Sequence, residues 1–244
     1  MGKNQTIYGL HSVRAALLNN KRINEELIIT ENHRILGKKY RSKVKKLKIL
    51  NSQDFKKNYG GEHTTQGIVL KTRELERPNL IDFVKKEDKE KKSIIIVLDQ
   101  ITDPQNIGAI MRSCALFNCR AIIVAKDNAP DLTPSLLKAA SGAAELVNYF
   151  KVTNVKRSLS ELKKFGYWIY GFDSSKNAST NLNYTKKSIL VFGSEGKGIR
   201  ELVKKYCDEI LKLNTKSNLE FQIDSLNVSN ATAIALYEFY NKEI

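Results

Sequence analysis

Cysteine, histidine, proline, methionine and tryptophan are all scarce in this chain: three, three, four, two and one among 244 residues. Cys114, Cys119 and Cys207 are an odd number at no zinc-like spacing, and the histidines do not bunch in sequence. A disulfide framework or a structural metal is therefore not expected. No apolar run approaches the ~18–20 residues that a membrane span needs. The opening residues, Met1 to Thr6, hold no apolar signal core. A cytoplasmic protein with three reduced thiols, no metal and no membrane partner is the expectation.

Acidic side chains are also in short supply, 26 against 41 Lys and Arg, leaving a net charge of +15. At 41% hydrophobic the chain is too apolar to be disordered. Its length allows one large domain or two small ones. The excess charge is uneven: residues 1–92 hold 22 basic and 11 acidic side chains (+11), residues 93–244 hold 19 and 15 (+4). Between residues 34 and 57, ten basic side chains face a single acid, Asp54. Arg34, Lys38, Lys39, Arg41, Lys43, Lys45, Lys46, Lys48, Lys56 and Lys57 make this stretch a source of positive potential that favours a polyanion, with RNA preferred to an anionic membrane. A solvated lysine-rich face is the plainer alternative.

The pattern changes where the charge does. Residues 1–75 read as a small α/β unit, with helical spacing over Tyr8 to Leu18 and strands at Glu26 to Thr30, Lys46 to Leu50 and Gly67 to Leu70. Residues 76–92 read as a charged linker that can hold a short helix near Leu80 to Lys86. From residue 93 to 244, strands and helices alternate. Ile94 to Leu98 is a continuous branched apolar run, as in a parallel strand buried on both faces. Strands are predicted at Ala121 to Ala125, Tyr149 to Val152, Tyr167 to Phe172, Ile189 to Phe192 and Glu209 to Leu213. Helices are predicted at 106–117, 133–145, 155–165, 198–206 and 227–241. The fold class is therefore α/β, with an open parallel sheet in the C-terminal part and the ligand outside the carboxyl ends of its strands.

Three segments at such strand ends carry candidate chemistry. In Pro104 to Arg112, a helix start is followed by Arg112 four residues after Gly108, which would set a guanidinium over a bare patch; taken alone, a capped helix with a surface arginine is the preferred reading. Phe192-Gly193-Ser194-Glu195-Gly196-Lys197-Gly198 is a glycine-rich loop, but neither a dinucleotide fingerprint nor a P-loop. Glu195 repels phosphate, so the loop suits a neutral or cationic ligand; a tight turn is the alternative. Ser225 and Asn227 bring a hydroxyl and an amide to the start of the last helix, for a ligand or for capping alone. No Ser/His/Asp or Cys/His constellation accompanies these segments.

In this order and spacing, Asn106-Ile107-Gly108-Ala109…Arg112, Phe192 to Gly198 and Ser225-Leu226-Asn227-Val228-Ser229 resemble the three signature motifs of the SpoU (TrmH-like) RNA ribose 2′-O-methyltransferases of the SPOUT class. Tyr8-Gly9-Leu10-His11-Ser12-Val13 and Thr65-Gln66-Gly67-Ile68-Val69 resemble the ends of that family's RNA substrate-binding domain. The layout is most similar to members that methylate a guanosine in the P-loop of 23S ribosomal RNA.

The resemblance implies S-adenosylmethionine as methyl donor, a C-terminal SPOUT domain with a deep trefoil knot, an N-terminal domain like the ribosomal protein L30e-type RNA binders, and a homodimer using the final helix. It implies Arg112 as the catalytic arginine that helps deprotonate the ribose 2′-hydroxyl, the alternative being an arginine that stays charged, binds the adjacent phosphate and stabilises the forming alkoxide. It implies Asn106, Glu195, Ser225 and Asn227 shaping the site, and Gly193, Leu213 and Leu226 lying against the cofactor. The chain departs from the family after Leu213, where Asn214 to Asp224 replaces a shorter Pro-Met loop. Transfer RNA, another ribosomal site, or a non-catalytic role in ribosome assembly stay open as alternatives.

Overall fold

The computed structural model describes residues 3–90, 92–175, 178–215 and 226–242. The chain divides into two compact units, Met1–Arg77 with Asp131–Leu146, and Pro78–Pro130 with Val147–Ile244.

The first unit holds β1 (Asn4–Tyr8), α1 (Leu10–Leu18), β2 (Asn24–Thr30), α2 (Arg34–Lys39), β3 (Lys46–Leu50), α3 (Ser52–Tyr59), α4 (Glu62–Thr65) and β4 (Ile68–Arg73). Its sheet has the order β1-β4-β2-β3, antiparallel except for the β2–β3 pair. The sequence does not announce β1, because only Ile7 of its five residues is buried and no apolar alternation shows. Pairing supplies what the pattern lacks: Asn4 to Tyr8 run in register against Arg73 to Val69. β4 in turn outruns its apolar stretch, since Lys71 and Arg73 pair with Glu26 (2.9 Å) and Glu25 (3.1 Å) of β2.

The 133–145 segment, predicted as one helix, is instead α7 (Pro134–Ala139) and a 3-10 turn at Ala143–Glu145. Left-handed backbone at Ser141 (φ 50°) and Gly142 (φ 94°) breaks it. Gly142 is needed there, because a Cβ would stand 2.6 Å from that of Ala15. The segment is held in this unit by a buried ion pair, Arg22 to Glu145 at 2.8 Å, and by Ser12 Oγ donating to Leu137 O at 2.7 Å.

The second unit holds α5 (Leu80–Glu87), β5 (Ser93–Asp99), α6 (Pro104–Leu116), β6 (Ala121–Ala125), β7 (Asn148–Val152), α8 (Val155–Lys163), β8 (Trp168–Phe172), β9 (Lys187–Gly193), α9 (Glu201–Lys204), β10 (Glu209–Leu211) and α10 (Val228–Asn241). The six strands are all parallel, in the order β10-β8-β9-β5-β6-β7. Every residue of β5 is buried, as its unbroken apolar run requires. One core gathers Ile95, Val97, Ile123, Ile189 and Val191 from the sheet with Leu159 and Leu162 of α8 and Phe83 and Val84 of α5. The segment read as linker thus contributes a helix to this core. β9 lies between β5 and β8, both earlier in the chain, so its carboxyl end opens at the centre of the sheet.

Candidate active site

Helix α6 begins at Pro104, two residues earlier than predicted, because Asp103 caps it by accepting from Gln105 N (3.1 Å) and Asn106 N (3.0 Å). Ile107, Ile110, Met111 and Cys114 form its buried stripe as expected. Gly108 is buried too, so the patch beside Arg112 is not bare. Arg112 is exposed and makes no hydrogen bond or ion pair with the described residues.

The glycine-rich loop leaves β9 under tight constraint. A Cβ on Gly193 would lie 2.0 Å from the Gly198 carbonyl carbon and 2.2 Å from Ile199 N. Gly198 N donates to Ser194 O at 2.8 Å, closing the loop at its neck, while Gly196 (φ 81°) and Gly198 (φ 66°) take left-handed backbone. The exposed Glu195 side chain projects from this ring.

Asn227 caps α10. Its Oδ1 accepts from Ser229 N at 2.9 Å, which turns its Nδ2 outward. That Nδ2 donates to Glu195 Oε1 at 2.9 Å and to Asn106 Oδ1 at 3.0 Å. One residue from each of the three segments is thereby joined in one hydrogen-bonded cluster. Arg112 is not part of it, and Ser225 lies outside the described residues.

Beside the cluster, a cavity of about 370 Å³ opens at the carboxyl ends of β8, β9 and β10. Phe172, Phe192, Gly193, Glu195, Leu213 and Leu226 are among its lining residues. Phe172 and Phe192, the last aromatic residues of adjacent strands, stack at 4.7 Å and 12°. Most of the lengthened loop, residues 216–225, lies outside the described residues. Asp173 also lines the cavity. Burial alone would push its carboxyl up, but the Lys204 ammonium at 3.1 Å and the Ser175 N–H at 2.8 Å hold it below the usual carboxylate range.

Not visible in the sequence are the Phe172–Phe192 stack, Asp173, and the pairing of the buried Asp99, at the end of β5, with the exposed Arg200. An acid closing an apolar strand run was the one visible signal for Asp99. Nothing in the pattern pairs it with an arginine a hundred residues away.

Comparison with known proteins decides the family. The profile of the SpoU rRNA methylase family matches residues 93–237, and that of the RNA 2′-O ribose methyltransferase substrate-binding domain matches residues 6–78. The chain belongs to the SpoU rRNA methylase family. Among its relatives, the 23S rRNA (guanosine-2′-O-)-methyltransferase RlmB of Coxiella burnetii is 34% identical over 98% of this chain and 96% of that protein. The putative TrmH family tRNA/rRNA methyltransferase YacO of Bacillus subtilis is 36% identical over 75% of this chain and 72% of its own length. The SpoU methyltransferase AviRb of Streptomyces viridochromogenes, solved in complex with AdoMet, shares the fold at a TM-score of 0.77 and 17% identity, covering 97% of this chain and 89% of that one. The cluster unites, through Asn106, Glu195 and Asn227, the three segments that resemble the family's signature motifs, all within the matched residues 93–237.

Proposed function

We propose that this chain transfers a methyl group from S-adenosylmethionine to the ribose 2′-hydroxyl of a guanosine in 23S ribosomal RNA, in the P-loop of the peptidyl-transferase centre. The observation that carries the reading is the Asn106–Asn227–Glu195 cluster beside the cavity at the carboxyl ends of β8, β9 and β10. The guanosine and the 23S target rest on the RlmB relatives, of which the Coxiella burnetii protein is matched over nearly its whole length.

The cavity suits the cofactor. Its volume lies within the small-molecule range of roughly 300–1,000 Å³. The stacked phenylalanines offer an apolar surface for a purine, Gly193 and its loop offer backbone groups, and Leu213 and Leu226 offer apolar contact. The lining holds two acids, Asp173 and Glu195, and two lysines, Lys197 and Lys212, so the charge of the site is balanced and a carboxylate is at hand for a cation. S-adenosylmethionine, when bound, supplies an electrophilic methyl group on a cationic sulfonium.

The protein's own contribution is positioning and charge. Asn227 fixes the Glu195 carboxylate and the Asn106 amide as one edge; Ser225, which the family resemblance gives a share in shaping the site, lies outside the described residues. Arg112, exposed and without a hydrogen bond or ion pair among the described residues, is placed to meet RNA. A guanidinium does not give up its proton in a protein. Arg112 therefore acts as a cation that binds a backbone phosphate and stabilises the charge forming on the 2′ oxygen as the hydroxyl proton passes to solvent water.

The N-terminal unit, of L30e type in this reading, captures the RNA. A trefoil knot in the C-terminal unit is consistent with β9 entering between strands laid down before it. The homodimer is supported by an exposed face of α6 and α10, where Phe117 meets Tyr237 and Tyr240 and Ile234 is 41% exposed. Among the described residues no helix is long and apolar enough to cross a membrane, which suits a cytoplasmic enzyme. Mapping of ribose methylation in 23S and transfer RNA, in cells with and without the gene, tests the reading. One 23S guanosine should lose its methyl group; a loss confined to transfer RNA would favour the wider tRNA/rRNA role in the name of the Bacillus relative.

A further inference from the structure

Resting on that reading, we propose that Asp99 and Arg200 are positioning residues: a latch that holds the glycine-rich loop in its cofactor-binding shape. Asp99 ends β5, is fully buried, and lies in register with Gly193, the first residue of the loop. Its carboxylate accepts three hydrogen bonds from the residue that follows the loop. Arg200 N donates to Oδ2 at 2.9 Å, and Arg200 Nε and Nη2 donate to Oδ1 at 2.9 and 2.6 Å.

Both ends of the loop are therefore tied to one point on the sheet. Gly193 is tied by strand pairing and by its contact with Gly198, and Arg200 by the carboxylate. The chain leaves Asp99 through Gln100 at φ 62°, a left-handed turn that only a firmly held segment keeps. Between the tied ends, Ser194 to Lys197 line the cavity, and Glu195 takes the Asn227 hydrogen bond.

Neither Asp99 nor Arg200 lines the cavity, so the latch works through the loop. Burying a carboxylate is costly unless its oxygens are satisfied, and three donors from one arginine, two of them charge-assisted, satisfy this one. The guanidinium is the replaceable part, since the Arg200 side chain is 42% exposed and its backbone N–H is independent of the side chain.

The test uses the full chain with Arg200→Lys, which keeps the charge and the backbone bond but loses the two-pronged grip. Hydrogen exchange is followed over residues 193–199, where the Gly198 amide reports loop closure. Calorimetry measures the affinity for S-adenosylhomocysteine, and filter binding the affinity for RNA. The expected result is an unfolding midpoint near that of the parent, with loop exchange faster and cofactor affinity weaker, each on the order of tenfold. RNA affinity should be unchanged. Asp99→Asn should shift exchange and affinity the same way if it folds. Unchanged loop exchange and cofactor affinity in Arg200→Lys would overturn the latch. Failure of the parent protein to bind S-adenosylhomocysteine would instead overturn the proposed function, and the exchange comparison would still decide the latch.

Discussion

The side-chain amide of Asn227 lies 2.9 Å from Glu195 Oε1, while the oxygen of the same amide caps α10 through the Ser229 N–H, also at 2.9 Å. Capping thus fixes which way the amide faces, and the donor that remains is aimed at the carboxylate. A feature that the sequence offers as plain helix capping is at once the joint between segments 121 and 32 residues apart.

The two roles separate by substitution. Serine is as good an N-cap as asparagine but is too short to bridge. Asn227→Ser should therefore keep the unfolding midpoint and lose methyl transfer by on the order of 10²-fold, the effect of removing one preorganised donor. Asn227→Ala should lose activity similarly and also about 1 kcal/mol of stability, read as a few degrees of midpoint.

Gly193 and Gly196 should respond differently to alanine. At Gly193 the new Cβ meets backbone at 2.0–2.2 Å, so the loop must move and S-adenosylhomocysteine binding should be lost, with destabilisation of roughly 1–3 kcal/mol. At Gly196 the space is open and only the left-handed φ of 81° is penalised, at about 1 kcal/mol. Calorimetry and thermal melts of the two variants check the contrast.

These contacts mark where the sequence is legible. β5 announces itself by an unbroken apolar run, and α6 by its stripe from Ile107 to Cys114, so the parallel sheet and the strand-end location of the site follow from pattern alone. Asn106, Glu195 and Asn227 stand out because polar groups sit beside glycine or at helix starts. β1 does not show, because its stability comes from a partner more than sixty residues away. The break at Ser141–Gly142 does not show, because it answers the approach of Ala15. The Phe172–Phe192 stack depends on two strands being neighbours, which no local window reports.

Acid should expose the role of Asp173. Its carboxyl is lowered in the folded state, so it takes up its proton at lower pH than in the unfolded chain. Its stabilising contribution is complete above the ordinary carboxylate range and fades as pH falls below about 4. Midpoints measured from pH 6 down to pH 2 should fall less steeply for Asp173→Asn than for the parent.

Cys207 should be a poor nucleophile. Burial pushes its thiol up to about 12, and burial also raises Cys114. Iodoacetamide at pH 8 should label neither appreciably in the native protein, and all three thiols after denaturation, as followed by mass spectrometry.

The basic stretch is not uniformly available to RNA. Lys45 and Lys46 are exposed but sit 2.7 and 3.6 Å from Glu25 and Glu26, while Lys38, Lys39, Lys48, Lys56 and Lys57, equally exposed, have no carboxylate partner among the described residues. Neutralising the second group should lower the slope of log affinity against log salt by about 0.7–0.9 per lost phosphate contact. Neutralising Lys45 and Lys46 should change it less. A slope that ignores both sets would place RNA capture elsewhere.

Methyl transfer to RNA is decided by following labelled methyl from S-adenosylmethionine to a 23S RNA transcript with the parent protein and with Arg112→Ala, the modified ribose being mapped by primer extension. The parent should yield one 2′-O-methylated guanosine in the P-loop. Arg112→Ala should yield none, although that variant should bind S-adenosylhomocysteine and melt like the parent. Near-parental transfer by Arg112→Ala would rule out its catalytic role, and no transfer to RNA by the parent would rule out the proposed activity.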